Sequence, residues 1–174
     1  MNNQKEIYFA GGCFWGTEHL FQCISGVTET ICGYANGKKE INPDYKMVCK
    51  GDTGYRETVH VIYNADEVSL KQLLAAFFYV VDPTTEKQQG EDIGDQYQTG
   101  IYYTNEEDGN IIREYADKVK ANYPVFVVEL KPLEKFVSAE EYHQDYLNKN
   151  PEGYCHIPLA AFDEINEIAH SAEK

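Results

Sequence analysis

Residues 7–16 read Ile7-Tyr8-Phe9-Ala10-Gly11-Gly12-Cys13-Phe14-Trp15-Gly16, and they join an apolar strand signal to the start of a helix. The paired glycines permit a sharp turn between the two elements, because glycine adopts a positive φ at little cost. Cys13 then lies in the first turn of the helix, where unpaired N–H groups and the helix dipole favour an anion. We therefore expect a lowered pKa for the Cys13 thiol and a reactive thiolate near neutral pH.

The residues around Cys13 decide between a catalytic role and a packing role. A lone cysteine after a turn is more often a packing residue, because buried cysteine behaves as a small hydrophobe. Here the glycine pair, the helix start and the single tryptophan of the chain, Trp15, favour catalysis. Phe14 and Trp15 are unusual at the start of a surface helix, and we expect them to wall an apolar pocket beside the sulfur.

Length and composition favour one globular domain over residues 1–174. Hydrophobic residues make up 43% of the chain, which argues against disorder. With 15 basic and 29 acidic residues the formal net charge is −14, and this charge disfavours nucleic acid and anionic membranes as partners. No signal peptide and no apolar run of membrane-spanning length is visible, so we expect a cytoplasmic, monomeric protein.

The cysteines are odd in number and lack the CxxC spacing of a redox or zinc motif: Cys13, Cys23, Cys32, Cys49 and Cys155. A secreted disulfide framework and a zinc site are therefore both disfavoured, and we predict no metal and no cofactor. In a reducing cytoplasm the thiols serve chemistry or packing. We expect packing roles for Cys23 and Cys32, and the role of Cys49 stays open.

Strand and helix signals alternate along the chain. Apolar patterning predicts strands at 27–34, 55–63, 99–103 and 125–130, of which the last is apolar enough to be central. Five helices are predicted. The first follows Cys13, the second begins at a capping box formed by Ser69 and Gln72, and the third begins at Thr104. The fourth covers residues 139–147, and the fifth carries apolar residues at positions 159, 162, 165 and 168. The long loop 83–98 suggests a functional role. Alternating strands and helices argue a two-layer α/β domain.

The strand predicted at 55–63 carries an acidic residue, Glu57, on its apolar face. A buried carboxylate is costly unless it is neutral or paired, and burial raises its pKa. Glu57 is thus suited to donate a proton at neutral pH, although a glutamate at a strand end more often reaches solvent. His60 lies on the opposite face, and we interpret it as a solvated or hydrogen-bonded bystander.

The segment Gly12-Cys13-Phe14-Trp15-Gly16, followed by Glu18, resembles the active-site signature of the A-type peptide methionine sulfoxide reductases. Similar matches occur in four further segments: Gly33-Tyr34-Ala35-Asn36-Gly37, Thr53-Gly54-Tyr55-Arg56-Glu57, residues 90–97 and Glu140-Glu141-Tyr142-His143-Gln144. Two positions depart from the family pattern, since Tyr55 replaces a histidine and Glu91 replaces an asparagine. The resemblance implies a two-layer α/β (α+β) sandwich with a mixed sheet, a plait-like (ferredoxin-like) core and substantial coil.

The resemblance also implies an activity. Members of this family reduce methionine S-sulfoxide, free or in proteins, and Cys13 would be the nucleophile. A sulfoxide sulfur becomes electrophilic only when its oxygen is protonated or strongly hydrogen-bonded, and Glu57 would be the acid. The resemblance implies three further roles. Tyr34, Asp92 and Tyr97 would orient the sulfoxide oxygen and a water, and Phe14 and Trp15 would form the pocket for the methyl group. Tyr142 and His143 would lie at the edge of the pocket or have a structural role.

Attack would leave a sulfenic acid on Cys13, which a second thiol condenses to a disulfide. Cys155 lies in the C-terminal tail that starts near residue 148, where many family members place the resolving cysteine. The resemblance therefore implies a Cys13–Cys155 disulfide that thioredoxin reduces by thiol–disulfide exchange. The alternative is that Cys155 is a spare thiol in the tail.

Two other functions stay open from the residues alone. A cysteine peroxidase would share the sulfenic acid step, although such enzymes usually activate the thiolate with a cation and no arginine lies near Cys13 in sequence. A methionine-binding or redox-sensing module would be oxidised without turnover. Four further points stay open. They are the preference between free and protein-bound sulfoxide, the identity of the native reductant, whether the chain derives from a fusion with a B-type domain, and whether the native residue at position 13 is selenocysteine.

Overall fold

Six strands form one mixed sheet in the computed structural model, which describes residues 3–174. These strands are β1 (Gln4–Ala10), β2 (Val27–Ala35), β3 (Arg56–Asn64), β6 (Gly100–Tyr103), β7 (Glu129–Pro132) and β8 (Phe136–Ser138). A separate short hairpin contains β4 (Gln88–Gln89) and β5 (Asp92–Ile93). The helices are α1 (Phe14–Gln22), α2 (Tyr45–Cys49), α3 (Leu70–Val80), α4 (Glu106–Lys120), α5 (Tyr146–Lys149) and α6 (Leu159–Ser171), with single 3-10 turns at Asp95–Tyr97 and Glu141–His143.

The strand order is β7-β6-β1-β3-β2-β8, and every neighbouring pair is antiparallel except β6 and β7. The units β1-α1-β2 and β3-α3-β6 interleave, so that their strands occupy the order β6-β1-β3-β2. This arrangement is the ferredoxin-like plait, and it confirms the predicted α/β sandwich with a mixed sheet. β7 and β8 extend the plait by one strand at each edge.

Helices α1 and α3 pack against one face of the sheet through aromatic side chains. The ring of Phe9 on β1 stacks on Phe21 of α1 at 4.6 Å and lies 4.8 Å from Phe77 of α3. The C-terminal helix α6 packs against α3, and its Ile165 is buried in the same core. Of the apolar positions predicted for this last helix, Ile165 is buried and Phe162 packs against the core, whereas Leu159 is 76% exposed. Within residues 3–174, no helix is both long and apolar enough to cross a lipid bilayer.

Local signals at strand and helix starts are mostly confirmed. On β3 the alternate residues Glu57, Val59 and Val61 are buried on one face, as predicted. Ser69 Oγ accepts a hydrogen bond of 3.2 Å from the Gln72 N–H, and Gln72 Oε1 accepts one from the Ser69 N–H, so the capping box is present. The next helix is capped by Asn105 rather than by Thr104, because the Asn105 side chain accepts from the Asp108 N–H at 2.9 Å.

The prediction of a central strand at 125–130 is wrong. β7 begins only at Glu129 and lies at the edge of the sheet, parallel to β6. The apolar residues before it run across the 83–98 loop, where the Val127 N–H donates to the Pro83 carbonyl at 2.8 Å. Their apolar side chains pack on the core without a strand: Val128 is buried, and the Phe126 ring lies 6.1 Å from that of Phe78 on α3.

The prediction of one helix over 139–147 is also wrong. The 3-10 turn Glu141–His143 and helix α5 are separated at Asp145, whose φ of 57° interrupts the helix. The Asp145 N–H donates to Glu18 Oε1 at 2.7 Å, and the Gln144 side chain bonds the backbone of Cys32. These hydrogen bonds hold residues 139–147 against α1 and β2. The resulting backbone conformation is set by distant residues and not by the sequence of the segment itself.

Candidate active site

Cys13 is the N-cap of α1 and follows β1 after the turn of Gly11 and Gly12. Gly12 has a φ of +87°, and a Cβ on it would lie 2.8 Å from the Cβ of Gln89. The turn therefore requires glycine for both conformation and space. Thr17 donates its hydroxyl to the Gly11 carbonyl at 3.2 Å, which ties the turn to the helix. In this position Cys13 is only 6% exposed.

Glu57 faces the same turn from strand β3. It is 1% exposed, and its Oε1 accepts a hydrogen bond of 3.2 Å from the Phe14 N–H. Its Oε2 is buried and has no hydrogen-bond partner among the described residues. Burial raises the pKa of Glu57 to about 8; the Phe14 N–H opposes this rise, and the charge of Asp92 adds to it. Glu57 is therefore mostly a neutral acid at neutral pH, with one oxygen free to bind a ligand.

The Cys13 thiol has a raised pKa, so the expectation of a lowered pKa is wrong. Burial of the sulfur is the largest cause, and the charge of Glu57 adds to it. The Trp15 N–H at the helix start lowers the pKa but does not compensate for burial. Cys13 and Glu57 thus both hold their protons, and the site carries the proton that a sulfoxide oxygen would need.

An aromatic cluster lines the site beside the sulfur. The Phe14 ring is buried, with its centroid 5.8 Å from that of Tyr34 and 5.2 Å from that of His143. Trp15 stacks on Tyr146 at 3.8 Å, and its Nε1 donates a hydrogen bond of 3.0 Å to His143 Nδ1. This bond leaves the His143 hydrogen on Nε2, and burial lowers the His143 pKa, so the imidazole is neutral. Phe14, Trp15 and His143 therefore belong to one rigid wall.

Tyr34 lies opposite Glu57 in the pairing of β2 with β3. Its hydroxyl group already has a hydrogen-bond partner. It donates a hydrogen bond of 2.7 Å to Glu140 Oε1, while the Tyr45 N–H donates to Glu140 Oε2 at 3.0 Å. Burial works to raise the pKa of Glu140, but these hydrogen bonds outweigh burial and lower it. Glu140 is therefore a carboxylate that fixes Tyr34 and Tyr45 at the wall. Tyr142, at the rim, is 59% exposed.

The 83–98 loop brings Tyr97 and Asp92 to the site. Burial is the largest cause of the raised pKa of Tyr97, and the charges of Glu57 and Cys13 add to it. The charge of Asp92 raises the pKa of both Cys13 and Glu57. The Asp92 Oδ1 accepts a hydrogen bond of 2.7 Å from the Tyr154 hydroxyl, so this carboxylate is bound to the C-terminal tail rather than left free.

The tail places Cys155 over the first turn of α1. A Cβ on Gly16 would lie 2.9 Å from the Cys155 sulfur, and the charge of Cys155 raises the pKa of Cys13. Cys155 is a free thiol that donates to the Ile157 carbonyl at 3.4 Å. The structure therefore brings the side chains of Cys13, Glu57 and Cys155 to the same helix start.

The other thiols have separate surroundings. Cys32 is buried, with its Sγ 3.6 Å from the Phe14 carbonyl, and Cys23 is half-buried against the core, as expected for packing residues. Cys49 is exposed at the end of α2. Across residues 3–174, no group of three or more His, Cys, Asp or Glu side chains is placed to hold a metal ion.

Several residues of the site were missed in the sequence analysis. Glu140 belongs to a segment that was matched, and His156 directly follows Cys155, so both had a signal in their neighbours. Tyr45 and Tyr154 had no such signal, because their partners His143 and Asp92 lie far away in sequence.

The chemistry available here is that of a thiol-dependent oxidoreductase, because two cysteines stand beside a proton donor. The family model described as "Peptide methionine sulfoxide reductase" matches residues 5–173. This chain therefore belongs to the peptide methionine sulfoxide reductase family, as its motifs predict.

Individual proteins agree with this assignment. The "Peptide methionine sulfoxide reductase MsrA" of Clostridium acetobutylicum is 52% identical over 155 residues, which cover 88% of this chain and 95% of that protein. Mxr1 from Saccharomyces cerevisiae in its reduced form superposes with a TM-score of 0.85 at 36% identity, over 90% of this chain and 92% of Mxr1. Mxr1 in complex with Trx2 shares the fold, with a TM-score of 0.59 at 23% identity over 82% and 84% of the two chains.

Proposed function

We propose that this chain reduces methionine S-sulfoxide to methionine, free or within proteins, and so repairs oxidised proteins. The observation that carries the proposal is the neutral, buried Glu57, whose unpaired Oε2 lies in the same site as the Cys13 thiol. A sulfoxide requires both groups, since its sulfur accepts a nucleophile only when its oxygen receives a proton or a strong hydrogen bond. Family membership supports the same reaction.

In the reduction step Cys13 attacks the sulfoxide sulfur while Glu57 protonates the sulfoxide oxygen. The sulfur–oxygen bond of the substrate breaks, and a sulfur–oxygen bond forms on Cys13. The substrate sulfur is reduced by an electron pair, and the Cys13 sulfur is oxidised by the same pair. The products are methionine and a Cys13 sulfenic acid, and Glu57 recovers its proton from the Cys13 thiol.

The aromatic cluster supplies the binding pocket in this scheme. Phe14 and Trp15 hold the S-methyl group, because sulfur and methyl groups pack favourably on aromatic rings. Tyr97 donates to the sulfoxide oxygen. Asp92 and Tyr34 orient that oxygen through a water, for which the Tyr34 oxygen is an acceptor because its hydrogen is donated to Glu140. Tyr142 and His143 complete the edge of the pocket, and the hydrogen bond from Trp15 to His143 keeps the wall rigid.

Cys155 resolves the sulfenic acid as a Cys13–Cys155 disulfide, and thioredoxin then reduces this disulfide by thiol–disulfide exchange. Support comes from the position of the Cys155 sulfur on the backbone of Gly16. Mxr1, which shares the fold of this chain, has been captured in complex with Trx2.

We further propose that residues 1–174 act as one catalytic domain, monomeric and cytoplasmic, with the tail from about residue 148 carrying the resolving cysteine. The sheet, α3 and α6 contribute to one hydrophobic core, which supports a single domain. The net charge of −14 offers little attraction to nucleic acid or to an anionic membrane, so neither is proposed as a partner.

Turnover driven by dithiothreitol with separated S and R epimers of methionine sulfoxide tests this proposal. We expect the wild type to reduce the S epimer alone and Cys13→Ser to be inactive, because serine does not accept the oxygen. Cys155→Ser should complete one turnover and lose recycling by thioredoxin. Turnover of both epimers, an active Cys13→Ser, or faster oxidation of Cys13 by hydrogen peroxide than by the sulfoxide would contradict the proposal.

A further inference from the structure

The residues on both sides of Cys155 attach the tail to the active site. The His156 side chain is only 5% exposed, and its Nε2 lies 2.9 Å from the Gly11 carbonyl oxygen. Its Nδ1 lies 3.5 Å from Asp92 Oδ2. On the other side of Cys155, the Tyr154 hydroxyl donates to Asp92 Oδ1 at 2.7 Å. Cys155 is thus held between two side chains that reach inward to the catalytic turn and its loop.

The Gly11 carbonyl fixes the hydrogen on His156. A carbonyl oxygen only accepts, so Nε2 of His156 carries the hydrogen and donates it. Nδ1 of His156 and Oδ2 of Asp92 are both buried, and neither has a hydrogen-bond partner in the part of the chain that the structure describes. Burial lowers the pKa of His156, so the imidazole is neutral and its one hydrogen is used in the bond to the Gly11 carbonyl.

Gly16 leaves the space that this attachment needs. A Cβ on Gly16 would lie 2.9 Å from the Cys155 sulfur and 3.4 Å from Cε1 of His156. The thiol and the imidazole therefore rest on the backbone of the helix turn that begins at Cys13. The two thiols are close enough that the charge of Cys155 raises the pKa of Cys13.

We propose that His156 is the positioning residue of the resolving step, holding Cys155 over the first turn of α1 where its sulfur reaches Cys13. This inference rests on the proposed function. In the step, a bond forms between the sulfurs of Cys155 and Cys13, and the sulfur–oxygen bond of the sulfenic acid breaks. The hydroxyl leaves with the thiol proton of Cys155 as water, so no further oxidant or reductant is needed.

Three contacts hold the tail around Cys155: the His156 bond to Gly11, the Tyr154 bond to Asp92 and the burial of Ile157 in the core. Residues 150–158 lie between α5 and α6 and include no helix or strand. Of the three contacts, the His156 bond is the one that reaches the turn before Cys13, so without it the thiol would sample more positions and its effective concentration at Cys13 would fall. A displacement of about 1 Å at a reacting group is enough to slow a step up to about a hundredfold.

Single-turnover measurements with methionine S-sulfoxide and no added reductant test the role of His156. Two rates are followed: release of methionine, and loss of the Cys155 thiol as the disulfide forms. In His156→Ala we expect the ratio of disulfide formation to methionine release to fall at least about tenfold. His156→Gln should recover most of the ratio, because its amide nitrogen replaces Nε2 and donates to the Gly11 carbonyl.

A matched control is His170→Ala, which removes another imidazole bonded to a backbone carbonyl, that of Ser25 at 2.9 Å, far along α6. This variant should keep the wild-type ratio. An unchanged ratio in His156→Ala, or a His156→Gln as slow as His156→Ala, would overturn the role of His156 while leaving the proposed function intact. Absence of methionine release from the wild type would instead overturn the proposed function.

Discussion

The backbone N–H of Phe14 donates a hydrogen bond of 3.2 Å to Oε1 of Glu57, so this carboxyl group is fixed to the residue that follows Cys13. The bond uses one of the N–H groups that every helix start leaves unpaired. Because Oε1 accepts this bond, the hydrogen of the neutral acid lies on Oε2, which has no partner within residues 3–174. The geometry therefore prepares Glu57 to donate to a bound ligand.

Replacing Glu57 by glutamine should make the stability of the protein less dependent on pH. The pKa of Glu57 is about 8 in the folded chain against an ordinary 4.5, so between these values the folded state keeps a proton that the unfolded state loses. Stability that is fully present below pH 4.5 is therefore lost as the pH rises through about 8. Glutamine resembles the neutral acid and avoids this loss.

Urea unfolding of the two proteins at pH 4 and pH 9 measures the effect. Glu57→Gln should be roughly 3–5 kcal/mol more stable than the wild type at pH 9 and nearly equal to it at pH 4. The same difference at both pH values would show that the pKa of Glu57 does not differ between the folded and unfolded states.

Gly16→Ala should slow resolution without destabilising the fold. Alanine favours a helix by roughly 1 kcal/mol over glycine, so the free energy of unfolding should not fall. The new Cβ would lie 2.9 Å from the Cys155 sulfur and displace the tail. We expect the ratio of thioredoxin-linked to dithiothreitol-driven turnover to fall at least about tenfold. A wild-type ratio would mean that Cys155 does not act from above this turn.

Arg56→Met should release the turn that carries Tyr97. The Arg56 Nη1 lies 2.9 Å from the Asp95 carboxylate, and its Nε lies 3.1 Å from Glu129 Oε1. Breaking these largely buried pairs should lower the free energy of unfolding by roughly 3 kcal/mol. Because Asp95 and Tyr97 share one 3-10 turn, kcat/KM for the sulfoxide should fall as well. Urea unfolding and steady-state kinetics measure the two effects.

Lys131→Met is the matched control, since Lys131 pairs with the same Glu129 at 3.0 Å but is 58% exposed. Its loss should change the free energy of unfolding by less than about 1 kcal/mol and leave kcat/KM unchanged. Equal effects of the two substitutions would argue that Arg56 acts only as a surface charge.

Features with a local cause were predictable from the sequence. The alternation around Glu57 identified a buried acid, and the Ser69–Gln72 pair identified a helix start. The break at Asp145 was not predictable, because it depends on a bond to Glu18, which is distant in sequence. The same holds for β7, whose preceding residues are diverted by contacts with the 83–98 loop.

The candidate site divides in the same way. The motif around Cys13 located the helix start, but the pKa shift of its thiol was predicted with the wrong sign. Burial causes the observed rise, and the depth of the sulfur depends on residues that arrive from β3, the 83–98 loop and the tail. His156 had a signal in its neighbour Cys155, but its contacts were not predictable, since its partners Gly11 and Asp92 lie far away in sequence.

The pH dependence of methionine release in a single turnover tests the role of Glu57 most directly. In the wild type the rate should fall as the pH rises through about 8, because Glu57 loses the proton that it donates. Glu57→Gln should be slower by at least about a hundredfold at pH 7 and show no such fall. A wild-type rate that stays level or rises through this range, or a Glu57→Gln variant that keeps the wild-type rate, would contradict the account.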